Sequence, residues 1–415
     1  MKPAYRPGLL ALIASSVGTA MASVCALGLV TLHNMLPLGW SLAAIALAYL
    51  ACRHLARVFA HLAEVVPSAA GLFAYSARAW GAAAGLMVIA PYAVLMLMLG
   101  ALESLVVGAV LGLVIPLPPM AMAVAFLLVS WAFCMTGLRL GFRAQTVATL
   151  LLVIGVVAGA VALSCGAPMQ IAMDAPSRTA TVTTFAAATG QALFLFMGFE
   201  LVCTHVEAQR VDRVARALRA APLVLAVTYG AAMIGLEAAG GAPPMSGAMP
   251  ALVVSLCLLA SFTSINGAFL GLARLASAMA SQRVLPGPLA KVHAASMLPR
   301  RALTALLPAT LAFVVAIDAA GLQGAVLRAA AVAATSLYAV ALCARGRAPF
   351  HRGENRCADR LLAAILAAVG VGVVLDAGDD AAAVMALLTL ATTAGAAAAF
   401  RLRSIRREIA LAQTP

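Results

Sequence analysis

Long stretches without a single Lys, Arg, Asp or Glu organise this chain. Residues 7–52 carry none, and further charge-free intervals cover 79–102, 104–138, 144–173, 179–199, 220–236, 238–273, 302–317, 329–344, 361–375 and 381–400. A charge at the centre of a bilayer costs about 2.5 kcal/mol or more, and one crossing takes about 20 residues. These intervals therefore predict membrane helices. Pro37-Leu38-Gly39, with His33-Asn34, divides the first interval in two, and Pro116, Pro118 and Pro119 divide 104–138. The pattern predicts twelve helices, over 8–31, 37–61, 81–112, 119–137, 144–165, 184–205, 217–239, 250–276, 302–320, 322–343, 360–376 and 380–400.

The basic residues test that count. Sorted by loop, 25 of the 27 Lys and Arg fall on one side, from Lys2 and Arg6 to the tail Arg401–Arg407, leaving Arg178 and Arg328 opposite. Asp174, Asp318, Asp376, Asp379 and Asp380 lie on that other side. By the positive-inside rule both termini are expected to be cytoplasmic. Ala20-Met21-Ala22 resembles a signal-peptide cleavage site, but the apolar run continues to Val30, longer than a signal core. It is read as the first crossing.

Composition agrees with the pattern. The chain is 64% apolar and 10% charged, with a mean hydropathy of +1.05, where soluble domains run near 45–50% and about 25%. The net charge of +13 would suggest nucleic acid in a soluble protein. Here the charges mark loops, so no nucleic-acid partner is expected, and the basic tail is expected to meet anionic lipid. The eight cysteines contain no C-x-x-C pair, and the six histidines show no ligand spacing. No P-loop, G-x-G-x-x-G or G-x-S-x-G motif occurs. No metal, cofactor or enzymatic activity is expected.

Interruptions inside the spans are informative, because free backbone at membrane depth is tolerated only where it lines a cavity or is buried in protein. Helix 1 contains Ser15-Ser16-Val17-Gly18-Thr19-Ala20, and helix 6 contains Phe194-Leu195-Phe196-Met197-Gly198-Phe199-Glu200. Paired interruptions at matching places in two halves point to a transporter built from repeats. Unwinding helix 1 exposes N–H groups at the start of its second half, a cradle for a carboxylate.

The helix-6 phrase, followed by Glu207, resembles the F-x-F-x-G-[FWVL]-E…E segment of the amino acid–polyamine–organocation superfamily. Gly18-Thr19-Ala20 is similar to its helix-1 G-[ST]-G break, and Pro67-Ser68-Ala69-Ala70-Gly71 to its stretch after helix 2. Met135-Thr136-Gly137 with Arg139 and Gln145 resembles its N-x-x-G-x-K…Q passage. Arg274…Ala278-Met279-Ala280, Leu285-Pro286 and Lys291-Val292-His293 resemble its stretch after helix 8. The short chain further resembles the compact bacterial exporters of methionine and branched-chain amino acids.

The resemblance implies an all-α polytopic membrane protein with a five-plus-five inverted repeat and broken helices 1 and 6. Repeat one covers 1–165, repeat two 184–343, and 344–415 holds two extra helices and the tail. It implies that Ser16, Gly18, Thr19 and Ala20 hold the carboxylate end of a small neutral amino acid. Carbonyls near Phe194, Met197 and Gly198 would take the ammonium, Phe194 would gate the site, and Asn266 would line it. Glu200 is expected to act in gating or proton coupling. Ala20 and Ala70 depart from the family's glycines, and helix 5 has no lysine, which removes one sodium-mimicking mode of coupling. Glu103 matches no motif and reads as a boundary or packing residue. Ser261, Thr263, Ser264 and Asn266 cluster on helix 8, open to lining a pathway or tying helices together. Pro91 is expected to kink helix 3. The expected function is secondary transport by alternating access. Amine or polyamine transport, and a non-transporting scaffold or sensor, are the alternatives.

Overall fold

The computed structural model describes residues 7–166, 181–206, 211–240, 249–293, 296–347 and 356–412, with side chains to residue 400. Glu207, Arg178, Arg210 and Asp174 lie outside the described residues. Within them the chain is an all-α polytopic membrane protein, and an isolated bridge between His293 and Leu298 is the single extended pairing.

Among the described residues, ten helices are long and apolar enough to cross a bilayer. They are Leu38–Val65 (span 2), Ala82–Gly112 (span 3), Leu138–Cys165 (span 5), Val182–His205 (span 6), Val211–Ala238 (span 7), Pro250–Ser281 (span 8), Arg300–Ala320 (span 9), Gln323–Arg345 (span 10), Cys357–Leu375 (span 11) and Gly378–Phe400 (span 12). Span 1 is a pair of helices, Leu9–Ala20 and Val24–Met35, bent by 58°. Span 4, Pro119–Cys134, has 16 residues, about 24 Å at 1.5 Å per residue, short of the roughly 30 Å hydrocarbon core. Counting it as a crossing keeps the basic loops after it on the side of those before it. The short helix Gly71–Trp80 was not expected; it follows the Pro67 turn and packs on span 3.

The neighbours of each span position the two interrupted helices. The first half of span 1 packs against spans 5, 7 and 8, and span 6 packs against spans 2, 10 and 11. Span 3 meets spans 4, 9 and 10, while span 8 meets spans 9, 4 and 5. Spans 2 and 7 touch each other, as do spans 3 and 8. Span 11 rests on span 10, and span 12 on span 3. Small residues permit the close approaches: a methyl group on Gly235 would meet the backbone of Ala160 at 2.7 Å, the packing that membrane helices use in place of a hydrophobic driving force.

Candidate substrate site

The break in span 1 lies between Ala20 and Val24, where the chain leaves helical geometry at Met21. No proline is present to cause it. Unwinding frees backbone groups that must find partners inside the bundle, and the side chains of Tyr229 and Glu103 supply them. The Tyr229 hydroxyl of span 7 donates to the Ala20 carbonyl at 2.9 Å. The Glu103 carboxylate of span 3 accepts the Ser23 N–H at 2.9 Å and the Val24 N–H at 3.0 Å. It also accepts the Ser23 hydroxyl at 2.7 Å and lies 2.8 Å from the Ser261 hydroxyl of span 8. Glu103 is fully buried. It caps the second half of span 1, at the place where the sequence suggested a cradle for a substrate carboxylate.

Span 6 breaks differently. Helix Val182–Phe194 tightens through i→i+3 bonds at Leu195, Phe196 and Met197, and Gly198 then takes a φ of +107°. A 3-10 segment, Phe199–His205, completes the span. The Gly198 N–H donates to both oxygens of Glu200, at 3.2 and 3.1 Å. Tyr92 of span 3 and Tyr338 of span 10 donate their hydroxyls to the same carboxylate, at 2.6 and 3.1 Å. Phe59, Phe199 and Tyr338 stack around it with centroids 6.2 Å apart.

The two breaks touch. The Ser16 hydroxyl donates to the Phe199 carbonyl at 2.7 Å, and a methyl group on Gly198 would approach the Thr19 carbonyl at 3.2 Å. Between them, Thr19, Ala20, Phe194 and Met197 line a cavity of about 20 Å³, closed by Met96 and Leu99 of span 3 and Ser264 of span 8. That is room for about one water molecule, so the site is shut around its centre. A larger pocket of about 360 Å³ lies between spans 1, 3, 5, 7 and 8, toward the end away from the basic loops. Its walls are apolar, as at Val106, Val156, Leu252 and Leu256, and Ala22 and Cys25 border both spaces.

The residues singled out in the sequence thus take different places. Thr19, Ala20, Phe194 and Met197 face the cavity, while Ser16 and Gly198 join the breaks to each other. The Thr19 hydroxyl is turned back onto the Ser15 carbonyl at 2.6 Å. Gly18 packs beneath Gln145 and Thr263. Asn266 donates to Gln145 at 2.7 Å and accepts from the Cys134 thiol at 3.2 Å, tying spans 8, 5 and 4 together away from the cavity. Tyr92, Tyr229, Tyr338 and Ser23 carried no motif. A lone tyrosine in an otherwise apolar span was the available signal, since a buried phenol needs a polar partner. Among the described residues, no group of three or more His, Cys, Asp or Glu could hold a metal ion.

Among the described residues, a membrane protein of fourteen α-helices with two interrupted spans meeting at a closed central cavity is the class that this geometry defines. No family model matches the chain, and no curated protein sequence matches it. In fold it is similar to crystal structures of a manganese transporter from Eremococcus coleocola. A histidine-to-alanine mutant of that protein aligns with a TM-score of 0.62 at 16% identity, over 96% of this chain and 95% of the other. A glutamate-to-glutamine mutant gives 0.62 at 16% identity, covering 98% of each. Its complex with an aromatic bis-isothiourea compound gives 0.56 at 16%, covering 95% of each. At such identity the likeness establishes a common fold.

Proposed function

We propose that the protein is a secondary transporter of small solutes bearing an ammonium group and an apolar body, working by alternating access. Neutral amino acids are the class implied by its resemblance to the amino acid–polyamine–organocation superfamily, and amines are the second. The observation that carries this reading is the meeting of two broken spans at one closed cavity lined by Thr19, Ala20, Phe194 and Met197. The neighbour pattern supports an inverted repeat. Exchanging each span with the one five places on converts the contacts of span 1 with 5 and 7 into those of span 6 with 10 and 2. The reading places both termini in the cytoplasm of a bacterial cell.

Manganese is the cargo named for the structural neighbour. A hard divalent cation favours carboxylate and other oxygen ligands, and no acidic side chain lines the cavity here. Glu200 is proposed as the coupling residue. A proton on it would convert one acceptor oxygen into a donor, and the Gly198 N–H, which can only donate, would lose a partner at the hinge of span 6.

Purified protein in liposomes, challenged with leucine, methionine, alkyl amines and Mn²⁺ under imposed pH gradients, tests this. Accumulation of an amino acid or amine is the expected outcome. Mn²⁺ uptake alone would overturn the substrate class, and binding without movement would favour a sensor. Normal, gradient-insensitive transport by Glu200→Gln would reject coupling through Glu200.

A further inference from the structure

Glu103 occupies the position that a zwitterionic substrate would need. The Ser23 and Val24 N–H groups open the second half of span 1 and carry its partial positive charge. Both already donate to Glu103. The carboxylate is unevenly satisfied: Oε2 accepts from the Ser23 N–H and the Ser23 hydroxyl and lies 2.8 Å from the Ser261 hydroxyl, whose single proton is shared with the Ser23 oxygen, whereas Oε1 accepts one bond, from Val24. A carboxylate oxygen has about two acceptor positions. Among the described residues, no cationic side chain forms an ion pair with Glu103. Glu103 itself lines neither cavity, but Ser23, which donates to it, lines the larger one, so an ammonium group entering there would meet a buried acid held by N–H and O–H donors alone.

The cavities fit that ligand. Ala22, which precedes Ser23, and Cys25, which follows Val24, line both the small central space and the 360 Å³ apolar pocket. Ser23 itself faces the larger one. A pocket of this size and lining suits the apolar body of a small ligand, and its polar edge lies at the Glu103 cluster.

We propose that Glu103 determines specificity by standing in for the substrate carboxylate. The filled cradle rejects a second anion at the same helix terminus, so the carried solute is an apolar monoamine without a carboxylate. Its ammonium is held against Glu103 Oε1, and its hydrocarbon lies toward the apolar pocket. This rests on the transport reading above and narrows it.

The test compares solutes that differ only in the carboxylate: leucine with 3-methylbutylamine, and methionine with 3-(methylthio)propylamine. Binding to the purified full-length protein is measured by calorimetry and thermal shift, because uncharged amines leak across bilayers. Each amine is expected to bind at least tenfold more tightly than its amino acid. Glu103→Gln, which keeps one acceptor oxygen and removes the charge, is expected to weaken amine binding at least tenfold and to abolish the preference. Tighter binding of either amino acid by the unmodified protein overturns the proposal, and this comparison stands even where Glu103→Gln does not fold. A preference unchanged in a folded Glu103→Gln protein also overturns it. If neither solute of either pair binds, while another amino acid is transported, the proposal fails and the transport reading survives. If nothing in the full panel binds or crosses, both fail.

Discussion

At the break of span 6, Gly198 turns to a φ of +107° and the carboxylate two residues later folds back onto its N–H. At the break of span 1 the partners arrive from a distance. Glu103 is 80 positions away from Ser23, Tyr229 is 209 away from Ala20, and Ser261 closes the cluster from span 8. Both breaks end with a buried carboxylate on the N–H groups that begin the second half. One starts from a local glycine turn, which Tyr92 and Tyr338 reinforce, and the other is a helix interruption maintained by the assembled bundle. The local break should persist when distant partners are lost, whereas the assembled one should not.

The largest effect is expected from Glu103→Ala. It removes the acceptor of the Ser23 and Val24 hydrogen bonds and orphans two main-chain N–H groups, each such buried donor costing about 1–3 kcal/mol. The thermal midpoint in detergent should fall further than for Glu200→Ala, and alkylation of Cys25, followed by peptide mapping, should speed up. Equal loss in the two alanine variants would erase the asymmetry between the breaks.

Gly198→Ala comes next. A non-glycine residue at a strained positive φ costs on the order of 1–3 kcal/mol, and the added methyl presses on the Thr19 carbonyl. Transport should be lost with Glu103 left in place, while Cys25 reactivity stays near that of the unmodified protein. Rapid alkylation of Cys25 in this variant would show that the two breaks are not separable.

Removing one phenol hydroxyl from each break sharpens the comparison at smaller scale. Tyr92→Phe deletes a 2.6 Å bond to a carboxylate, and hydrogen bonds to charged groups contribute about 1.5–3 kcal/mol. Tyr229→Phe deletes a 2.9 Å bond to a neutral carbonyl, a loss of about 0.5–1.5 kcal/mol. The order of the two thermal midpoints checks the expectation. Ser16→Ala, which cuts the single hydroxyl bridge to Phe199, should cost least, about 1 kcal/mol. Combined with Gly198→Ala in a double-mutant cycle, it should show coupling, since the two sites are in contact.

The same contrast explains how much could be read from the residues. Span boundaries were legible because a buried charge is costly in a bilayer, so helices such as Arg300–Ala320 and Cys357–Leu375 fall close to the charge-free intervals. The span-6 break was legible because Gly198 and Glu200, which act together, lie two positions apart in sequence. Glu103 was read as a boundary or packing residue because its meaning depends on Ser23 and Ser261, which no local pattern connects to it. Asn266 and Gly18 looked like lining residues, yet helix packing turns them toward Gln145. The face that a polar residue presents is set by neighbours that periodicity alone does not identify.

Local chemistry alone thus determined the class and the approximate course of the long apolar spans, since each depends on solvating one residue at a time. Only the tertiary structure decided which carboxylate meets which helix end and how small the central cavity is. Those outcomes come from groups far apart in the chain, whose hydrogen bonds exist only once the spans have packed.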